Sequence, residues 1–129
     1  MKKETIICII TVAIIIIGHI ILQNYSKEAI GSTNTELNEL REIMLKENIE
    51  KKEVENKIKE IHEKWDKRYT KMAFFIEHNE LEKVETELTG LQASIGTEDY
   101  SQAQNELARA EYILEHIEQK NKLCWKNLF

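Results

Sequence analysis

The chain has 129 residues, a net charge of −5 at pH 7, no proline and four glycines. Because proline breaks helices, a proline-free chain with 32% charged residues is typical of long helices and argues against a β-sandwich or an α/β fold. The acidic balance also argues against nucleic-acid binding, which requires a basic stripe with interleaved aromatic side chains.

The first predicted element is a transmembrane helix over residues 5–22. This 18-residue stretch carries no formal charge, and as a helix it covers roughly 27 Å, close to the ~30 Å hydrocarbon core of a bilayer. Lys2 and Lys3 precede it, so the positive-inside rule places residues 1–4 in the cytoplasm and residues 23–129 outside it. We therefore expect a single-pass protein of the cell membrane with an extracytoplasmic C-terminal domain.

A cleaved signal peptide is the alternative interpretation of the same segment. Ala29-Ile30-Gly31 resembles a small-x-small cleavage site, but it lies seven to nine residues beyond the apolar run. The run is also longer than the ~7–15 apolar residues of a usual signal core. We therefore favour an uncleaved anchor.

A polar connector over residues 23–33 is predicted to follow the anchor. Thr33 and Glu36 have the spacing of a capping box, in which two side chains bond backbone N–H groups at a helix N-terminus. A first helix of the extracytoplasmic domain (residues 34–129) is therefore predicted at about residues 34–46. The apolar pattern lapses near Asn48 and then resumes, which predicts a break in the helix; one unbroken stalk is the alternative.

The strongest pattern in the tail predicts an antiparallel helical hairpin. Two amphipathic helices, at about residues 50–95 and 98–128, flank Gly96, which ends the first, and Thr97, which caps the second. Folding the chain at Thr97 brings their apolar residues face to face in register, with coiled-coil-like packing. The predicted pairs are Leu91 with Ala103, Leu88 with Leu107, Val84 with Ala110, Leu81 with Leu114, Phe74 with Asn121, and Trp65 with Leu128. The predicted fold class is all-α: one N-terminal transmembrane helix followed by a hairpin of two or three helices.

Charge is distributed unevenly over this hairpin. Residues 73–118 carry 11 acidic groups and two basic ones, which predicts a strongly negative tip near Thr97. The opposite end is predicted to be positive, through Lys64, Lys67, Arg68, Lys71, Lys120, Lys122 and Lys126. These charges suggest a basic partner at the tip and anionic lipid or an acidic partner at the base, while a solvated exterior without a partner is the alternative.

Two Glu-His pairs, Glu77-His78 and Glu115-His116, lie opposite each other in this register and form a candidate regulatory site. Imidazoles titrate near neutral pH, and both imidazoles and carboxylates bind metal ions. Adjacent residues on a helix point about 100° apart, however, so one pair does not easily offer both ligands to one ion. We therefore expect no metal site. A pH- or metal-responsive membrane-anchored regulator built on these four residues is the second functional hypothesis.

Trp65, Trp125 and Phe129 are candidate interaction residues at the hairpin base, with packing as the alternative for both tryptophans. The sequence contains no recognisable catalytic set and no phosphate loop, so we expect no enzyme and no cofactor. The leading hypothesis is a non-catalytic, membrane-anchored accessory or scaffold protein whose tail binds another membrane or envelope protein. Self-association through the apolar positions of residues 37–65 is a third possibility.

Several short motifs along the tail are distinctive in combination. They are Trp65, Phe75-Ile76-Glu77-His78-x-Glu80-Leu81-x-x-Val84, Leu88-x-x-Leu91, Asp99-x-x-x-Ala103, Leu107, Leu114-Glu115-His116-Ile117 and Asn127-Leu128-Phe129. With these motifs the chain resembles an uncharacterised family of small, N-terminally membrane-anchored proteins of clostridia and bacilli, catalogued only as a domain of unknown function. The resemblance covers most of the chain and implies an anchor, a helical tail and a turn before the tryptophan, which favours the break near Asn48. It supplies no activity, cofactor or catalytic residue.

Overall fold

The computed structural model describes the backbone of residues 2–128 and the side chains of residues 2–123. Over this range the chain forms four α-helices and no strand. The helices are α1 (Lys3–Met44), α2 (Lys51–Met72), α3 (His78–Gly96) and α4 (Tyr100–Leu128). The prediction of an all-α fold with a long apolar N-terminal helix is confirmed.

The two halves of α1 have different surroundings. The N-terminal half contains an 18-residue apolar window of which nothing is buried inside the protein. The C-terminal half, from Ser26 to Met44, buries one face against the other helices. By length and composition, α1 is therefore a helix that is able to cross a membrane with its apolar half and to take part in a folded domain with the other.

The predicted polar connector over residues 23–33 is wrong, because α1 continues through it without a break. The Thr33 hydroxyl donates to the carbonyl of Ala29 at 2.8 Å, a bond typical of a threonine inside a helix. Glu36 closes no capping box, because its carboxylate accepts hydrogen bonds from Arg68 of α2. The segment is amphipathic, and burial of its inner face in the domain keeps it helical.

The predicted break near Asn48 is present, but the structure contains a further break that was not predicted. The chain leaves the helix between α1 and α2 over residues 45–50, an interval that includes Asn48. A second break, over residues 73–77, divides the single helix predicted at residues 50–95 into α2 and α3. The prediction of one helix over residues 50–95 is therefore wrong. The turn could not be recognised in the sequence because no glycine or proline marks it, and because Ile76, buried within the turn, continues the apolar pattern across it.

The C-terminal half of α1 forms an up-down-up-down four-helix bundle with α2, α3 and α4. Each helix packs against two neighbours: α1 against α2 and α4, and α3 against α2 and α4. The bundle has two ends. The tip consists of residues 45–50 and the α3–α4 turn at residues 97–99. The base consists of the α2–α3 turn at residues 73–77 and the last turns of α4, beside the apolar half of α1.

The predicted hairpin corresponds to α3 and α4, which make the most extensive helix–helix contact in the bundle. Eight residues of four predicted pairs are fully buried in its core: Leu81, Val84, Leu88, Leu91, Ala103, Leu107, Ala110 and Leu114. Two ion pairs between the helices follow the order expected for antiparallel packing. Glu87 pairs with Arg109 near the middle, and Glu77 pairs with Lys120 at the base. The core of the hairpin was therefore predictable from apolar spacing.

The two remaining predicted pairs are wrong. Phe74 lies in the α2–α3 turn with 84% of its surface exposed, so it does not extend the hairpin towards Asn121. Trp65 belongs to α2 and is fully buried in the bundle core. Its proposed partner, Leu128, lies outside the described side chains. Both errors follow from the missed turn, after which the chain reverses direction.

The α3–α4 turn forms at the predicted position, but different residues make it. Gly96 has no positive φ; the left-handed residue is Glu98, with a φ of 60°. Asp99, not Thr97, caps α4, because its Oδ1 accepts a hydrogen bond from the Gln102 backbone N–H at 3.1 Å. The turn therefore places a non-glycine residue in a conformation that costs free energy.

Candidate functional site

The four residues of the predicted regulatory site are placed in separate environments. Glu77 ends the α2–α3 turn and lies 3.3 Å from the Lys120 ammonium of α4. His78, the first residue of α3, bonds the Tyr69 hydroxyl through Nδ1 at 2.7 Å and lies 2.8 Å from Glu82 through Nε2. The missed turn is again the reason, because it directs His78 towards α2.

On α4, Glu115 accepts a weak hydrogen bond from Gln119 of the same helix at 3.4 Å. His116 is exposed. Among the described side chains, the only group of three or more potential metal ligands with atoms within 4.8 Å of one another is His62, Asp66 and Glu85. The prediction that Glu77, His78, Glu115 and His116 form one cluster is therefore wrong.

His62 instead bridges α2 and α3 through both of its ring nitrogens. Its Nε2 lies 2.6 Å from a Glu85 carboxylate oxygen, and its Nδ1 lies 2.9 Å from the Gln92 side-chain oxygen. Burial lowers the pKa of His62, but the hydrogen bonds to Glu85 and Gln92 and the negative charges of Glu85 and Asp66 together raise it by more, so the pKa is raised above its ordinary value. Because both ring nitrogens face oxygen acceptors, this geometry suits the doubly protonated imidazolium.

The same geometry bears on metal binding at His62, Asp66 and Glu85. An imidazolium has no free lone pair, so a metal ion would bind only after His62 lost a proton and gave up one of its hydrogen bonds. The arrangement is therefore better suited to an ion pair that holds two helices together. Sequence analysis missed this group, because matching His62 with Glu85 requires the reversal of the chain at residues 73–77.

The outer face of α3 and α4 carries an exposed aromatic patch. Tyr112 exposes 72% of its surface to solvent. With Ile113 and His116 of α4 and with Glu80 and Lys83 of α3, it lines a shallow cleft of about 220 Å³. Tyrosine is enriched at protein interfaces, since it offers apolar area and a hydroxyl at a low cost in conformational entropy. We define these five residues as the Tyr112 patch.

Of the three aromatic residues predicted as interaction residues, the structure describes the side chain of Trp65. Trp65 is buried, and its ring packs edge to face against Tyr69 with centroids 6.3 Å apart, so packing is its role. Its indole N–H has no hydrogen-bond partner among the described residues. The side chains of Trp125 and Phe129 lie outside the described residues.

In the bundle, charges of both signs join the hairpin turn at the tip. Residues 45–50 and the start of α2 bring three lysines, Lys46, Lys51 and Lys52, and three glutamates, Glu47, Glu50 and Glu53. Along the bundle, Glu111 of α4 pairs with Arg41 of α1. Closing the bundle therefore gives Glu111 a cationic partner from outside the hairpin.

Comparison with known proteins identifies a family. The sequence profile of a domain of unknown function (DUF4363) matches residues 20–128. No curated protein and no solved structure matches the chain. The matched segment begins inside the apolar half of α1 and includes all four bundle helices, so the profile covers both the bundle and its join to the apolar helix.

Proposed function

The chain belongs to the DUF4363 family, defined by a domain of unknown function, and from its architecture we propose that it is a membrane-anchored, non-catalytic accessory or scaffold protein. The apolar half of α1 spans the cell membrane once. The four-helix bundle lies outside the cytoplasm and binds another membrane or envelope protein. The Tyr112 patch is the docking surface.

The observation that carries this proposal is the continuity of α1 from Lys3 to Met44. A flexible linker would let the domain move freely above the membrane, whereas an uninterrupted helix fixes its height and orientation. The exposed apolar half of α1 is also a surface that water covers poorly and hydrocarbon covers well. A fixed domain on a membrane anchor is suited to presenting one face to a neighbouring protein.

Two observations support a retained anchor over a cleaved signal peptide. Ala29 and Ile30, within the apparent cleavage motif, are only 5% and 1% exposed because they pack in the bundle core. Cleavage after Gly31 would remove this packed turn of α1. The family profile also begins at residue 20, upstream of the motif, so the segment belongs to the family's domain.

The orientation follows from the charges that flank the span. Lys2 and Lys3 lie immediately before the apolar run, while Lys27 and Glu28 follow it as adjacent, opposite charges. The positive-inside rule then retains the N-terminus in the cytoplasm. This topology places the Tyr112 patch on the outer side of the membrane, where envelope proteins and the external domains of membrane proteins are available.

Site-specific photo-crosslinking tests the docking surface. A benzophenone amino acid is introduced at Tyr112 in the full chain in native membranes, and at Lys59, an exposed position on α2, as the matched control. We expect one discrete protein adduct from position 112 and none of that size from position 59. Equal adducts from both positions, or none from either, contradict the docking surface.

The pH- or metal-responsive alternative requires Glu77, His78, Glu115 and His116 to share one site. The hydrogen bonds and ion pairs of Glu77, His78 and Glu115 instead join these residues to different partners, Lys120, Tyr69 and Gln119. The arrangement of these four residues therefore gives that alternative no support.

A further inference from the structure

We propose that the base of the bundle is a second membrane-binding surface. In this arrangement the α2–α3 turn, through Phe74, and the last turns of α4 lie in the headgroup layer of the same bilayer that α1 crosses. The occupant of the surface is phospholipid. The inference rests on the proposed membrane span, and the experiment below separates the two.

The height of the base is set by a contact between α4 and α1. The Asn121 side-chain amide donates to the Ser26 hydroxyl at 3.2 Å. Ser26 lies four residues beyond Leu22, the end of the apolar run, which corresponds to about 6 Å along the helix. The headgroup layer extends roughly 5–8 Å beyond the hydrocarbon core on each side. Asn121 is therefore level with the headgroups.

From Asn121, α4 continues towards the membrane. This helix runs antiparallel to α3 and ends at Leu128, which lies seven residues beyond Asn121 and about 10 Å further along the helix axis. Its last turns therefore cross the headgroup layer, and its end reaches the edge of the hydrocarbon core, at the height of the last apolar residues of α1. Residues 123–128 read Leu-Cys-Trp-Lys-Asn-Leu, and tryptophan and lysine beside leucine are typical of segments at the membrane–water interface. Leu123 exposes 61% of its surface.

The α2–α3 turn lies at a similar height on the other side of the bundle. The Lys71 ammonium, in the last turn of α2, lies 5.3 Å from the centroid of the Tyr25 ring. Phe74 follows three residues later with 84% of its surface exposed, although its neighbour Ile76 is buried. A phenylalanine left in water at the end of the molecule that faces the bilayer is well placed for insertion among headgroups.

Charges of both signs lie at the base. The described side chains here include six basic and six acidic groups: Lys27, Lys67, Arg68, Lys71, Lys120 and Lys122, and Glu28, Glu36, Asp66, Glu77, Glu80 and Glu118. Lys120 and Lys122 each lie near one carboxylate, at 3.3 and 3.5 Å. Lysines near the headgroups are attracted to anionic phospholipids.

Spin-label accessibility in nanodiscs tests the proposal on the full chain. The background carries Cys8→Ser and Cys124→Ser, with one chain per disc and phosphatidylcholine containing phosphatidylglycerol as the lipid. Labels are placed singly at Val12→Cys in the span, Ala73→Cys beside the retained Phe74, and Glu98→Cys at the tip. Collision rates are measured with oxygen, which concentrates in lipid, and with a nickel chelate, which stays in water.

We expect the labels at positions 12 and 73 to favour oxygen and the label at position 98 to favour the chelate. We also expect Phe74→Asp to shift the label at position 73 towards the chelate, whereas Tyr112→Asp, on the side of the bundle, leaves it unchanged.

The outcomes separate the two proposals. If the label at position 12 favours oxygen while the label at position 73 behaves like that at position 98, the base does not contact lipid although the span is correct. If the label at position 12 favours the chelate, the membrane span itself is wrong. If Phe74→Asp leaves the label at position 73 in lipid, Phe74 is not the inserting residue.

Discussion

Arg68 of α2 donates hydrogen bonds to both carboxylate oxygens of Glu36 in α1, at 2.8 and 2.9 Å. Its guanidinium also donates to the Thr33 hydroxyl at 3.0 Å. The hydrogen bonds to Glu36 raise the pKa of Arg68, since burial opposes the charge by less than the carboxylate stabilises it. This fork attaches the first bundle turns of α1 to α2, where the chain changes from an apolar helix to a folded domain.

Replacing Arg68 tests the attachment. Arg68→Ala leaves the half-buried Glu36 carboxylate without its two charge-assisted hydrogen bonds, and we expect a loss of roughly 2–3 kcal/mol in the free energy of unfolding. Urea unfolding of the full chain in detergent, followed by circular dichroism, measures it. Lys59→Ala, at an exposed position of α2, is the control and should stay within about 0.5 kcal/mol of the wild type. A change of that small size for Arg68→Ala would show that the fork contributes little.

The core of the hairpin is tested at Leu88, which is fully buried between α3 and α4. Leu88→Asp places a carboxylate in the apolar core, and we expect a loss of about 4 kcal/mol or more, enough to melt the bundle far below the wild type. Thr89→Asp adds the same charge at the adjacent exposed position and should shift the melting temperature by only a few degrees. A thermal melt followed at 222 nm compares the two variants, and similar melting temperatures would contradict the register.

The His62 bridge predicts a pH-dependent stability. Because the pKa of His62 is raised by its partners in the folded protein, its contribution is complete below the unfolded pKa of ~6.5 and is lost as pH rises through the folded pKa. We expect the melting temperature of the wild type to exceed that of His62→Gln by more at pH 5.5 than at pH 8.5. His116→Gln, at an exposed position of α4, is the control for loss of an imidazole. An equal difference at both pH values would mean that the bridge does not depend on protonation.

The α3–α4 turn offers a stabilising substitution. Glu98 has a φ of 60°, a conformation that costs a non-glycine residue roughly 1–2 kcal/mol and glycine much less. After the greater unfolded-state entropy of glycine is subtracted, Glu98→Gly should stabilise the bundle by about 0.5–1 kcal/mol. Asp99→Ala, which removes the cap of α4, should destabilise it by about 1 kcal/mol. Thermal melts of the two variants should therefore shift in opposite directions, and a lower melting temperature for Glu98→Gly would refute the strain.

The apolar core of α3 and α4 could be predicted from the sequence, because helical spacing reports which side of a helix leaves water. Leu81, Val84, Leu88 and Leu91 were identified in this way, and all are buried. The turn at residues 73–77 could not be predicted by the same rule. No residue there forbids a helix, and Ile76 is buried whether or not the backbone is helical.

The candidate sites depended on that turn. Once the chain reverses at residues 73–77, His62 faces Glu85 and Gln92, His78 faces Tyr69, and Trp65 moves into the core. The prediction of a Glu-His cluster assumed that residues 50–95 form one helix. It is wrong because the reversal of the chain at residues 73–77 was missed. The exposure of Tyr112 could not be predicted from the sequence either, because it depends on which sides of α4 the other helices cover.

The sequence by itself determined that the chain is helical, that residues 5–22 form an apolar helix of membrane-spanning length, and that the last two helices pack antiparallel. These properties follow from composition and from apolar spacing along one segment, both of which are local. Only the tertiary structure decided that α1 continues from that apolar run into the bundle, where α2 ends, and which charged groups pair. Those features arise when four helices close around one core, because burial and ion pairing then depend on residues distant in sequence.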